Sequence, residues 1–226
     1  VGPGFDPLLG HTALSPSVLP DSSFFVRCQA LLFCFLLFSF RFWCHSRFIF
    51  LSLFKRFLPM TRIGLLSDTH AYWDDKYYKY FDSCDEIWHA GDLGTDEIAD
   101  KFEAFKTFRA VAGNIDGASI RQRYPLHNRF MCERVSVWLT HIGGYPGRYA
   151  PNVKPEIFTN PPRLFVCGHS HILKVTFDRK LNMLCMNPGA AGRYGIQKVR
   201  TLLRFNIDDD QIKDLEVIEI GQSSGG

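Results

Sequence analysis

Arg62-Ile63-Gly64-Leu65-Leu66-Ser67-Asp68-Thr69-His70 is the stretch on which the rest of the chain can be read. Ile63–Leu66 is a short apolar run of the kind that forms a strand covered on both faces. It ends abruptly in Ser67-Asp68, with His70 two residues on. The same grammar recurs downstream. Glu86–His89 reads as a strand and runs into Ala90-Gly91-Asp92; Arg109–Ala112 runs into Gly113-Asn114. Val135–Thr140 is followed by His141, and Leu164–Cys167 by Gly168-His169-Ser170-His171. Between the second and third strands Thr95 is placed to cap a helix, with Asp96 and Glu97 in its first turn and Ile98, Phe102 and Phe105 at helical spacing.

From Asn128 onward nearly everything reads extended: Arg129–Cys132, Val135–Thr140, Leu164–Cys167, Leu173–Phe177, Leu181–Met186, Thr201–Ile207 and Asp214–Ile220. Tyr145–Pro162, rich in Pro, Gly and Asn, reads as a loop with one short helix. An α/β first half and a β-rich second half predict two sheets packed face to face with helices outside. There is no internal repeat.

Residues 1–59 are of another character. They hold 12 of the 21 phenylalanines, and Ala30–Phe40 is apolar except for Ser39. Arg41 and Arg47 divide that run from Phe48–Phe54, which makes a poor membrane span. Met60 is the first methionine, and the globular pattern starts directly after it. The expectation is therefore that 1–59 is an upstream, non-native segment, with a membrane anchor as the alternative. The domain is then 60–221, and 222–226 a disordered tail.

Charge follows the same division. The first 59 residues carry five basic and two acidic residues, leaving 21 of each sign in 60–226. A neutral body has no general pull on nucleic acid or anionic membrane. Seven cysteines, none in a C-x-x-C pair, exclude a zinc knuckle or redox motif and suggest buried thiols in a reducing cytoplasm.

Asp68, His70, Asp92, Asn114, His141, His169 and His171 all follow strand ends, where α/β sheets bind ligands. Glycines sit beside most of them. Two Asp, one Asn and four His are too many donors for one tetrahedral zinc and include no thiolate. The set suits two borderline cations better than Mg²⁺ or Ca²⁺, with Mn²⁺ first and Fe, Zn²⁺ or Ni²⁺ as alternatives. Two such cations can share a carboxylate and activate water against a phosphoryl group.

Asp68-Thr69-His70, Gly91-Asp92-Leu93-Gly94, Gly113-Asn114-Ile115-Asp116, Thr140-His141 and Gly168-His169-Ser170-His171 together resemble the ordered motifs of calcineurin-like metallophosphoesterases. The short body and Asn187-Pro188-Gly189 resemble the YfcE-type phosphodiesterase subfamily. The resemblance covers roughly residues 60–220. It implies a four-layer α/β/β/α sandwich of two mixed sheets. It also implies Asp68, His70 and His171 on one metal, Asn114, His141 and His169 on the other, and Asp92 between them. A metal-activated hydroxide would attack phosphorus in line with the leaving oxygen. Asp92, Asn114 and His141 would be the catalytic set, and Asn114 and Arg148 would contact substrate.

Two departures stand out. Many relatives carry a His after the motif Asn, thought to protonate the leaving group; here it is Ile115. Asp116 is retained and could orient a ligand from behind. The Thr-His-Ile-Gly-Gly stretch also inserts Ile142 where relatives have Thr-His-Gly.

Structural readings stand beside these. His89 and His127 read as strand and loop residues. Asn187-Pro188-Gly189 reads as a strand exit, Arg193 as a solvated arginine, and Tyr72, Trp73 and Tyr77–Tyr80 as packing a helix onto the sheet. His169 and His171 alternate, which predicts both rings on one side of a strand. The leading function is hydrolysis of a small phosphodiester or nucleotide-like substrate, without a nucleic-acid polymer and with a homodimer left open. Alternatives are a phosphomonoesterase or pyrophosphatase on the same site, or a protein-binding scaffold like the retromer subunit that shares this fold and has lost key ligands.

Overall fold

The structure is a computed structural model that describes residues 60–223; the calls on 1–59 and on 224–226 lie outside the described residues. Two five-stranded mixed sheets carry the fold. The first has the order β12 (Gln211–Gln222), β11 (Val199–Asp208), β1 (Thr61–Leu66), β2 (Glu86–His89), β3 (Thr107–Ala110). The second has the order β4 (His127–Cys132), β5 (Val135–Thr140), β8 (Leu164–Val166), β10 (Met183–Pro188), β9 (Leu173–Asp178). The parallel strands β1–β2–β3 run to one edge of the first sheet, with the antiparallel β11 and β12 beyond β1. In the second, the parallel strands β5–β8–β10 occupy the middle and antiparallel β4 and β9 flank them.

Period-two alternation sorts the side chains into three apolar layers. Ile63, Leu65, Trp88, Val137, Leu139, Leu164, Val166 and Phe205 fill the space between the sheets. Trp88 is fully buried there, and its indole N–H donates to Glu86. Leu66, Ile87 and Leu202 turn the other way, toward Tyr77 and Phe81 of α1 (Lys76–Phe81) and Ile98, Ala99 and Phe102 of α2 (Asp96–Phe105). Gly64 is the point of closest approach: a Cβ there would meet the Phe81 ring at 2.5 Å. On the far side, Trp138, Phe165 and Cys185 pack against Val153 and Ile157, the latter in α4 (Lys154–Ile157). Helix, sheet, sheet and helix thus form the expected four layers.

Some elements differ from expectation. The third strand was expected at Arg109–Ala112 and forms at Thr107–Ala110. Val111 still donates to His89, but the Ala112 amide turns to Pro125 and leaves the ladder. α3 (Ala118–Arg123) buries only Ile120, so it carries no apolar period to read. The Tyr145–Pro162 segment contains α4 and also a small hairpin of β6 (Gly144–Tyr145) and β7 (Arg148–Tyr149). Thr95 does precede α2, but its side chain makes no capping hydrogen bond. Gln222, expected to start the tail, still pairs with Val199. Cys84, Cys132, Cys167 and Cys185 are free and buried, as expected. No helix among the described residues is long and apolar enough to cross a membrane.

Candidate metal centre

β1 and β2 run parallel in one sheet, as β5 and β8 do in the other, so each pair delivers its carboxyl ends to one edge. Backbone hydrogen bonds lace the ends together. The Asp68 amide donates to Gly91 O, the His70 amide to Asp92 O and the Gly168 amide to His141 O, each at 3.0 Å. The result is two clusters whose potential ligand atoms lie within 4.8 Å of one another: Asp68, His70 and His171, and Asp92, His141 and His169. Asn114 joins the second, its Oδ1 2.9 Å from His141 Nε2. Asp92 Oδ2 lies 3.3 Å from His141 Nε2 and 3.9 Å from His70 Nε2, and so faces both clusters. All seven residues singled out from the sequence therefore meet at one place.

Their backbone is unusual. Asp68, His70, Asp92, His169 and His171 all have φ between 48° and 67°. This left-handed region costs a non-glycine residue of order 1–3 kcal/mol and is concentrated at functional sites. It also corrects the expectation that His169 and His171 share one side of a strand. The chain turns at both, and they serve different clusters. Close packing fixes the rest. A Cβ on Gly91 would meet His141 Nδ1 at 2.6 Å, and one on Gly113 would collide with Asp92 Oδ1.

The proton inventory shows what the clusters lack. His141 Nδ1 lies 2.8 Å from the Ala90 carbonyl, which can only accept, so Nδ1 carries the proton. In the neutral ring Nε2 is then a bare lone pair, facing the Asn114 and Asp92 oxygens. The first cluster repeats the pattern. Gln197 uses its amide N–H groups on the Gly192 and Tyr194 carbonyls, so its Oε1 accepts from His171 Nδ1 at 3.0 Å. His171 Nε2 is left facing His70 Nε2 at 3.1 Å and Asp68 Oδ1 at 3.2 Å. Asp68 Oδ1 is itself a buried oxygen without a hydrogen-bond partner. Converging acceptors with no proton between them are what a cation relieves, and the donor set fits divalent metal.

Electrostatics point the same way. Burial would push the Asp92 carboxyl up, but His141 and the Ile115 amide hold it below its ordinary range. Burial would lower His141; Asp92 and Asp68 outweigh it and raise the ring. The adjacent Asp68 carboxylate raises His171, whereas burial lowers His70.

Supporting residues surround the donors. Asp116 is buried and accepts from the amides of Asp92, Gly94 and Gly113 at 3.1, 2.7 and 2.7 Å. Arg121, on α3, donates to the Gly113, Asn114 and Asp116 carbonyls. His89 is fully buried, paired with Thr69 Oγ1 at 3.0 Å, and accepts from the Gly91 amide. Asn187 ties Gly168 and Ser170 together. Of these, the sequence pointed only to Asp116 as a support. Gln197 gave no signal, being a loop residue 26 positions from its partner. Ile115 is exposed, Arg148 is exposed in a cavity wall that includes His169, and Arg193 lies over the Tyr72 ring.

Residues 61–210 match the calcineurin-like phosphoesterase superfamily domain. The chain belongs to that superfamily. The family implies divalent metal ions, and the two clusters supply candidate ligands for them. Among solved structures it is similar to an archaeal phosphodiesterase, at 18% identity and TM-score 0.57 over 70% of this chain and 100% of that one. It is likewise similar to a predicted phosphoesterase from Streptococcus pneumoniae, at 18% identity and TM-score 0.53 over 72% and 91% of the two chains. Vps29 from Entamoeba histolytica, solved in complex with Zn²⁺, is similar at 14% identity and TM-score 0.57 over 71% and 98%. No curated protein matches the chain. These neighbours share the fold.

Proposed function

We propose that the chain is a dinuclear metal-dependent phosphodiesterase acting on a small diester. The observation that carries the reading is the completeness of the site: seven oxygen and nitrogen donors converge, with the unpartnered Asp68 Oδ1 among them. Asp68, His70 and His171 would hold one cation, Asn114, His141 and His169 the other, and Asp92 would serve both. Bound divalent cations polarise phosphoryl oxygens and make water a nucleophile near neutral pH. The chain's own residues orient this centre. Ala90 and Gln197 set the His141 and His171 rings, and Asp116 holds the turn that presents Asp92. Mn²⁺ is the expected metal, and four buried free thiols suit a reducing cytoplasm.

Ile115 stands 47% exposed beside Asp92 and cannot donate a proton. The enzyme should therefore favour good leaving groups. Ile115→His should flatten the dependence of rate on leaving-group pKa, by up to about a hundredfold on poor leaving groups; equal dependence in both proteins would sink this point.

The test of the main reading is hydrolysis of generic mono- and diesters with added metals, alongside measured metal content. Mn²⁺-stimulated diester hydrolysis that disappears in Asp92→Asn supports it. A second reading, a protein-binding scaffold, draws on Leu173, Val175 and Phe177, which share one face of edge strand β9 and are 36, 36 and 52% exposed. Neither activity nor bound metal would favour that reading.

A further inference from the structure

Two cavities reach the second cluster from opposite sides. The larger, about 360 Å³, lies over the outer face of the second sheet and includes His169, Tyr145, Arg148, Lys174 and Thr176 in its walls. The smaller, about 230 Å³, includes Asn114, His141, Arg121, His127 and Asn152. Ile142 lines both and is the partition between them. Neither cavity touches Asp68, His70 or His171. Both of these cavities thus open on the second cluster.

The two spaces differ in chemistry. Cys167, Cys185 and Met186 contribute to the larger one. Both thiols are free and almost fully buried, and with Met186 they form soft apolar surface. Tyr145, 38% exposed, stands at this cavity with Lys174 Nζ 3.6 Å from its ring centroid. An apolar floor with an aromatic wall and cationic rim suits a planar aromatic group. The smaller cavity has more hydrogen-bonding side chains in its wall: Asn114, Arg121, His127, Thr140 and Asn152, with Asn152 donating to the Ile142 carbonyl and Arg121 to that of Asn114. It suits a shorter, hydrogen-bonding group.

Ile142 holds its place because the next residue is glycine. A Cβ on Gly143 would meet Phe165 Cζ at 2.6 Å and Cys167 Cβ at 2.7 Å. The segment therefore lies flat on the second sheet and lifts Ile142 between the cavities, where it is 38% exposed.

We propose that the two cavities hold the two arms of a phosphodiester whose phosphate sits at the second cluster, an aromatic arm in the larger and a small polar arm in the smaller, with Ile142 as the divider. This rests on the phosphoesterase reading and narrows its substrate. A monoester has one arm and would leave one cavity empty; a diester fills both.

The probes are p-nitrophenyl 2-methoxyethyl phosphate, with one aromatic and one small polar arm, and 2-methoxyethyl phosphate, the monoester with the polar arm alone, assayed with Mn²⁺ on the full chain. Thr176→Trp fills the larger cavity and Asn152→Trp the smaller. Thr176→Trp should lower the diester-to-monoester ratio of kcat/KM at least tenfold, whereas Asn152→Trp should lower kcat/KM for both esters. Tyr145→Ala, at an exposed position where folding is not at stake, should raise KM for the diester roughly fivefold or more, without a matching rise for the monoester. Thermal melts separate a filled cavity from an unfolded chain, and the Tyr145 variant decides the matter if either tryptophan variant unfolds. If wild type hydrolyses the diester but the folded Thr176 and Tyr145 variants move both esters alike, the two-arm assignment fails and the phosphodiesterase reading survives. If wild type hydrolyses neither ester with any metal, the underlying reading fails with it.

Discussion

The two donor clusters are built from similar residues and differ in their surroundings. In the first, His171 is set by Gln197, and the exposed Tyr194 ring lies 5.3 Å from the His70 ring. Neither cavity reaches it. In the second, His141 is set by a main-chain carbonyl, His169 is exposed, and cavities approach from both sides. Under the proposed function, the contrast separates two tasks: concentrating positive charge in a fixed place, and admitting a substrate to it. Asp92, whose Oδ2 faces both, is where the tasks join.

The largest expected effect comes from removing that join. Asp92→Asn keeps the shape but removes the shared charge, and kcat/KM for a diester should fall about a thousandfold or more. A loss confined to KM would mean that the clusters do not act together. Next is Asp116→Ala, which strips the acceptor from three amides at the base of the second cluster. At about 1–3 kcal/mol for each buried unmet group, partly offset by water, the cost is roughly 3–5 kcal/mol. The melting temperature should drop by about 10 °C. An unchanged melt would show that solvent replaces the carboxylate without penalty.

pH probes the ground beneath both clusters. Burial holds the His89 imidazole down at about 4, below its ordinary 6.5. An unfolded chain therefore takes up the proton first as pH falls. Stability from this residue is complete above about pH 6.5 and is lost progressively toward pH 4, by roughly 3 kcal/mol in all. Urea melts across that range should show the slope, and a slope that persists in His89→Gln would assign it elsewhere. The smallest effect should be the most selective. Gln197→Leu frees the His171 ring and should weaken one of two metal-binding events by about 10–100-fold, leaving the other alone. Calorimetric titration that finds both weakened equally would break the distinction between the clusters.

Much of this was legible in the sequence because buried central strands announce themselves. Val135–Thr140 could be bounded to the residue, since apolar side chains on both faces leave no room for another reading. The donors were visible because each follows such a run. Elements stabilised by hydrogen bonds rather than apolar burial were not legible. α3 buries one side chain and is held by Arg121 on three carbonyls. The β6–β7 hairpin is two residues a side, with Gly147 at φ 87° in its turn. Gln197 belongs to the same class: its importance lies in which atom its amide turns toward His171, and no local pattern encodes that. His169 and His171 were found but misplaced, because alternation was read as strand geometry where the chain instead turns twice.

Those turns have a consequence for how such a site can vary. Left-handed backbone costs least for glycine and, among residues with a side chain, for Asn, Asp and His. Three of those four offer metal-binding atoms. At Asp68, His70, Asp92, His169 and His171 the main chain therefore acts as a sieve on mutation. Most replacements are rejected by the backbone before chemistry is tested, and the few that pass, glycine apart, are themselves donors. A lineage drifting through this fold would exchange one metal ligand for another more readily than lose it.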